Sequence, residues 1–277
     1  LHAMRGTPLR KCGRIDANPH HHMAVGLEAA LHLLRHLQPF LPGRRQPVAV
    51  DQHPIGPFGD HGIQPHQSLY DRPLEEHIIE LEARLSEVQS LGARHVVAHA
   101  GFDSWTVAQR SEFFGRSAQL AAKFGLRLTH ETHRHRPLFT PWATRDVLSE
   151  FPDVLLTLDL SHWVAVAERL LVHEDDIIAA AAARTIHLDA RIGFEEGPQV
   201  NDPSAPEWAE QGAWFTRQWK RVIELAAAAG TDEMVVVPEY GSPPYQAVHP
   251  HGGGPVGDLW AMCRSERDRL RVELQPR

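Results

Sequence analysis

From Pro73 onwards the chain alternates between two hydrophobic periods. PLEEHIIELEARLSEVQSLG carries apolar residues at helical spacing and stops at Gly92. ARHVVAHAG is a short apolar run that ends near His99. TVAQRSEFFGRSAQLAAKFG returns to the helical period and closes at Gly125. LRLTH is the next strand and delivers Glu131. Pro141 then opens the helix WATRDVLSEF, which stops before Pro152. VLLTL delivers Asp159 at the head of the loop DLSHW. VAVAERLLVHEDDIIAAAA reads as helix with a break near His173. ARTIHLDA delivers His187 and Asp189, WFTRQWKRVIELAAAAG is a long helix ending at Gly230, and DEMVVVPEY delivers Glu239. Pro255 begins the closing helix, VGDLWAMCRSERDRLRVEL.

Apolar strands rich in Leu, Val and Thr are those of a sheet buried on both faces, and helices alternate with them. Glu131, Asp159 and His187 follow one another about 30 residues apart, close to one-eighth of a typical (β/α)8 barrel. The expected fold is therefore α/β, a (β/α)8 TIM barrel. The sequence is regular from about residue 73 to 270, in a single domain over 1–277 with no linker. Residues 1–72 are rich in His, Pro and Gly, so this part of the barrel is expected to be irregular or incomplete. Within it, Met23 to Phe40 has helical periodicity and QPVAVDQ is one short strand.

The chain has 277 residues, 42% hydrophobic and 23% charged, which suits one barrel-sized domain. Its net charge of -7 speaks against a nucleic-acid partner. Cys12 and Cys263 form no CxxC pattern, as expected of a reducing, cytoplasmic setting. No apolar run has transmembrane length, and LHAMRGTPLRKCGR lacks the apolar region of a secretory signal. The histidines at positions 20–22 read as a solvated loop. Neither a P-loop nor GxGxxG occurs, so no nucleotide cofactor is expected.

Parallel strands joined by helices put their C-terminal ends on one edge, and in a barrel that face carries the chemistry. Glu131, Asp159, His187 and Glu239 then share a rim. One imidazole with three carboxylates suits one divalent cation, Mn2+ first, with Co2+, Mg2+ and Zn2+ as alternatives. The plain alternative is that each is a strand-end carboxylate paired with an arginine.

HETHR (130–134), DLSHW (159–163), HLDARIG (187–193), GPQVNDPSAPEW (197–208) and PEYGSPPY (238–245) resemble the xylose-isomerase-like barrels, the sugar isomerase and epimerase superfamily. The resemblance covers about residues 73 to 270. It implies that Glu131, Asp159, His187 and Glu239 hold the ion. It also implies that Glu131 and Glu239 exchange protons with the substrate from opposite faces of a carbon beside a carbonyl. His162, three residues after Asp159, would contact substrate hydroxyls. The implied activity is a divalent-metal-dependent isomerase or epimerase working through an enediolate on a small carbohydrate. A lyase acting on 3-keto-glycosides, a zinc phosphodiesterase of the apurinic endonuclease branch, and a non-catalytic barrel stay open beside it. So do a homo-oligomer and a small partner subunit.

Other residues are read from position. Arg191 would hold the substrate oxygen where negative charge develops, or pair with a carboxylate. Asp189 supports the ligands or binds a second metal. His99 ends an earlier strand and would line the pocket. Trp105, Trp163 and Trp208 lie near the motifs, and Trp163 is expected to offer its indole to the substrate. The long segment 193–208 reads as a lid loop with Gln199 and Asp202 as contacts. Gly241, Pro243, Pro244 and Tyr245 form a turn that would fix Glu239.

Overall fold

The computed structural model describes Ala49, Val50 and residues 73–274. The expectations for Met23–Phe40, Cys12 and the histidines at 20–22 lie outside these residues. Six strands form one parallel sheet: β1 (Ala49–Val50), β2 (His95–Ala98), β3 (Arg127–Glu131), β4 (Leu155–Leu158), β5 (Thr185–Asp189) and β6 (Val235–Val237). Their spatial order is β1-β6-β5-β4-β3-β2, every neighbouring pair parallel. The five strands from β2 to β6 lie side by side in chain order, which is a parallel half-barrel of the βα type. The short strand within QPVAVDQ is present as β1 and pairs with β6, the strand that leads to Glu239.

Helices α1 (Leu74–Ser90), α2 (Val107–Phe124), α3 (Pro141–Glu150), α4 (Leu160–Ala167), α5 (Asp175–Ala182), α6 (Ala209–Ala228) and α7 (Leu259–Glu273) fill the connections. Their ends follow local chemistry. Thr106 and Gln109 form a capping box at the start of α2, and Gly125 closes that helix with a positive φ of 64°. Thr140 caps α3, with Pro141 in its first turn.

Two expected boundaries differ. α4 starts directly behind β4 where DLSHW was read as loop, because Asp159 itself caps it by accepting from the Ser161 N–H at 2.8 Å. α7 begins at Leu259, not Pro255: Asp258 caps the helix, and Pro255 bridges Val248. The expected break near His173 is present between α4 and α5.

Strand alternation sends one set of side chains outward to the helices. His130 packs against Phe113 and Phe114 of α2, with ring centroids 5.6 and 4.9 Å away. Leu156, Leu158, Leu188 and Val236 are fully buried in the same core as Phe215, Trp219 and Val222 of α6. Each fully buried side chain of this size contributes about 1.5–3 kcal/mol. The other set carries polar groups. Thr129 and Thr157 share a hydrogen bond of 2.7 Å, and His95 Nε2 reaches Thr129 Oγ1 at 3.0 Å. Among the described residues no helix is long and apolar enough to cross a membrane.

Candidate active site

The strand ends converge. His99 follows β2, Glu131 ends β3, Asp159 follows β4, Asp189 ends β5 and Glu239 lies just beyond β6. The edge between β3 and β4 is clamped by Thr132, whose hydroxyl donates to the Asp159 carbonyl at 2.9 Å and accepts from the Asp159 N–H at 2.8 Å. This clamp sets the height at which both carboxylates leave the sheet.

Arg191 lies at the centre of the cluster. Its Nη2 pairs with Asp159 Oδ2, stands 3.1 Å from Glu239 Oε2 and 2.7 Å from His162 Nε2. Its Nε donates to Ser161 Oγ at 3.3 Å. The guanidinium is 2% exposed, and the Tyr245 ring covers it at 5.0 Å. Burial opposes its charge, but Asp159, Glu239, Tyr245 and Glu131 outweigh that and push its pKa up.

Glu131 is 8% exposed. Burial first, then the negative charges of Glu239, Asp189 and Asp159, push its carboxyl well above the usual carboxylate range, with Arg191 opposing. Two groups of donor atoms around it lie within 4.8 Å of one another: Glu131 with Asp159 and His162, and Glu131 with Asp189 and Glu239. Four carboxylates thus face one guanidinium. That excess of negative charge in a buried site suits a divalent cation, and the donor set is oxygen-rich.

His187 takes a different position from the other three residues of its expected set. Its Nε2 meets Asp189 Oδ1 at 3.0 Å, and its ring stands 5.6 Å from that of His95. Asp189, on the same face two residues later, is the side chain of β5 that joins Glu131 and Glu239. His162 is fully buried, 3.5 Å from Asp159 Oδ2.

Trp163 corrects an expectation. It is fully buried in the core and donates its indole N–H to the Leu138 carbonyl at 2.9 Å, so it offers no face to a ligand. Trp105 is likewise core, and Trp208 packs on Phe194 at 4.9 Å.

The segment 193–208 reaches the turn behind Glu239 through Gln199. Gln199 donates to the Gly241 carbonyl at 3.0 Å and accepts from the Gly241 N–H at 2.7 Å, so it grips the turn behind Glu239. A Cβ at Gly241 would stand 3.2 Å from Tyr245 Cβ, so glycine lets that turn fold onto the tyrosine. Asp202 is spent locally, accepting from the N–H and hydroxyl of Ser204 at 2.9 and 2.7 Å.

Three residues here were missed by the sequence reading: Thr132, His133 and the hydroxyl of Tyr245. His133 Nε2 and Tyr245 Oη lie 2.8 Å apart. The His133 ring lies between those of His99 and His162, at 4.0 and 3.7 Å. The one available signal was the second histidine of HETH, which points to the same side as Glu131.

No family model matches this chain, and no curated protein matches it. Solved structures do. A xylose isomerase-like TIM barrel protein from Mycobacterium smegmatis in complex with magnesium is 16% identical over 72% of this chain and 67% of that one, with a TM-score of 0.47. D-allulose 3-epimerase from Methylomonas sp. is 15% identical over 73% and 70%, with a TM-score of 0.47. A sugar phosphate isomerase/epimerase from Parabacteroides distasonis is 12% identical over 76% and 71%, with a TM-score of 0.45. The chain is thus similar to xylose-isomerase-like and sugar phosphate isomerase/epimerase barrels, at TM-scores below 0.5. The chemistry of the site is read from its own strand ends.

Proposed function

We propose that this chain is a divalent-cation-dependent sugar isomerase or epimerase that moves a proton on the carbon next to a carbonyl, through an enediolate. The observation that carries the reading is the meeting of Glu131 and Glu239, from the ends of β3 and β6, beside Asp189 and around the Arg191 guanidinium. Two carboxylates converging on one buried volume can remove and return a proton, provided that one of them holds it between the two events.

Glu131, Asp159 and Glu239 are the proposed ligands of the ion, with Asp189 adjoining them and His187 behind Asp189. Mn2+ is the first choice, ahead of Co2+, Mg2+ and Zn2+. When bound, such an ion polarises a carbonyl and acidifies the neighbouring C–H. Arg191 and His162 orient the substrate oxygens from below, and the half-buried carboxyl of Glu239 faces the open side. On this reading the half-barrel belongs to a (β/α)8 barrel with an altered N-terminal part, in one domain over 1–277.

The test is solvent exchange. With Mn2+ and a panel of ketoses in D2O, the protein is expected to place one deuteron on the carbon beside the carbonyl. Glu239→Gln should keep the fold and lose the exchange. Unchanged exchange in that variant would remove Glu239 from the chemistry, and release of an aglycone from a keto-glycoside would replace isomerisation by elimination.

A further inference from the structure

His99 is 7% exposed, yet neither of its ring nitrogens has a hydrogen-bond partner among the described residues. Buried polar atoms in native proteins are nearly always matched, by protein, water or an ion. Its Nε2 faces Glu131 Oε2 across 4.0 Å. That gap is too wide for a hydrogen bond. Two donors that share one tetrahedral ion at about 2.0–2.2 Å from each stand about 3.4 Å apart, so this pair would close by roughly half an ångström around an ion.

His133 completes the group. One donor atom from each of His99, Glu131 and His133 lies within 4.8 Å of the other two. His133 turns Nδ1 to the carbonyl of Arg134 and Nε2 to the Tyr245 hydroxyl. An Nδ1–H held by a backbone carbonyl leaves the lone pair on Nε2, as in a histidine that ligates metal; the Tyr245 hydroxyl donates to that lone pair here, and an ion would take its place.

We infer that His99, Glu131 and His133 form a second cation site, which shares only Glu131 with the carboxylates around Arg191. Two imidazoles and one carboxylate are a borderline donor set, and they select a zinc-class ion where the carboxylate-rich group favours a harder one. A shared Glu131 would make the centre dinuclear, with that carboxylate between the two ions.

The experiment is elemental analysis after equilibration with Zn2+ alone. Wild type is expected to hold two zinc ions per chain, His99→Phe and His133→Phe one each, and Asp159→Asn one. Histidine variants that hold as many ions as wild type overturn the inference. A single ion kept in the histidine variants but lost in Asp159→Asn and Glu239→Gln overturns this site and leaves the proposed function's ion standing. The reverse pattern keeps this site and removes that ion. Zinc-edge X-ray absorption of wild type loaded with two equivalents is expected to show imidazole scattering that His99→Phe and His133→Phe reduce; an all-oxygen shell, or scattering those variants leave unchanged, overturns the inference.

Discussion

Arg191 Nη2 stands 3.1 Å from Glu239 Oε2 while pairing with Asp159. One guanidinium therefore links the end of β4 to the residue beyond β6, across β5. Both contacts come from the one nitrogen Nη2, while Nε donates to Ser161, so the planar guanidinium serves two sites at once where a lysine ammonium could serve one. Removing Arg191 leaves the fully buried Asp159 without its guanidinium partner. Arg191→Gln is expected to cost about 3–5 kcal/mol in chelator, as for other broken buried pairs. Arg191→Lys should recover part of it. Urea unfolding measures both, and a loss below about 1 kcal/mol would show that the pair does not hold the rim together.

Glu131 gives the site a pH signature. Its folded-state pKa lies well above the unfolded value of about 4.3. Stability from the protonated form is complete below that unfolded value and is lost as pH rises through the folded one. Without divalent ions, thermal melts should therefore fall with rising pH, and Glu131→Gln should flatten the slope. Saturating Mn2+ should flatten it as well, because an ion neutralises the carboxylate. A slope that Mn2+ leaves unchanged would count against Glu131 as a ligand.

His130 predicts the opposite slope from the outer face of the same strand. Burial between Phe113 and Phe114 lowers its pKa from 6.5 to about 4. The neutral ring favours the fold above pH 6.5, and that advantage, about 3 kcal/mol, is lost as pH falls towards 4. His130→Phe should remove this acid-side loss in unfolding experiments between pH 4 and 7.

The Thr132 clamp is testable by an isosteric change. Thr132→Val removes both hydrogen bonds to the Asp159 backbone and leaves buried polar atoms unmatched. A loss of about 1–3 kcal/mol is expected. Weaker ion binding should accompany it, because both carboxylates are set by that edge. A variant with wild-type ion affinity would reduce Thr132 to a stability role.

Much of this architecture is legible in the sequence, for physical reasons. Helices such as α2 carry both a periodic apolar face and their own stop signals, Thr106 and Gly125, so local sequence suffices. Glu131, Asp159 and Glu239 were readable because a strand that ends in a carboxylate places it on the rim wherever the strand sits. The failures are all matters of long-range placement. Nothing in PPY announces that Tyr245 meets a histidine 112 residues earlier. Asp189 and His187 share a face of β5, and only the packing of neighbouring strands decides which of them reaches Glu131. Trp163 looked like a pocket wall because it follows a functional motif. It turns inward because α4 starts at once behind β4.

The grip of Gln199 on Gly241 has a consequence for timing. The segment that would open and close over the rim is tied to the peptide two residues beyond Glu239. Were that segment to move, admission of a ligand and placement of the carboxylate would be one mechanical event, not two. Such a coupling would keep the base from its reactive position until the mouth is shut, and so would guard the half-buried acid against idle exchange with solvent.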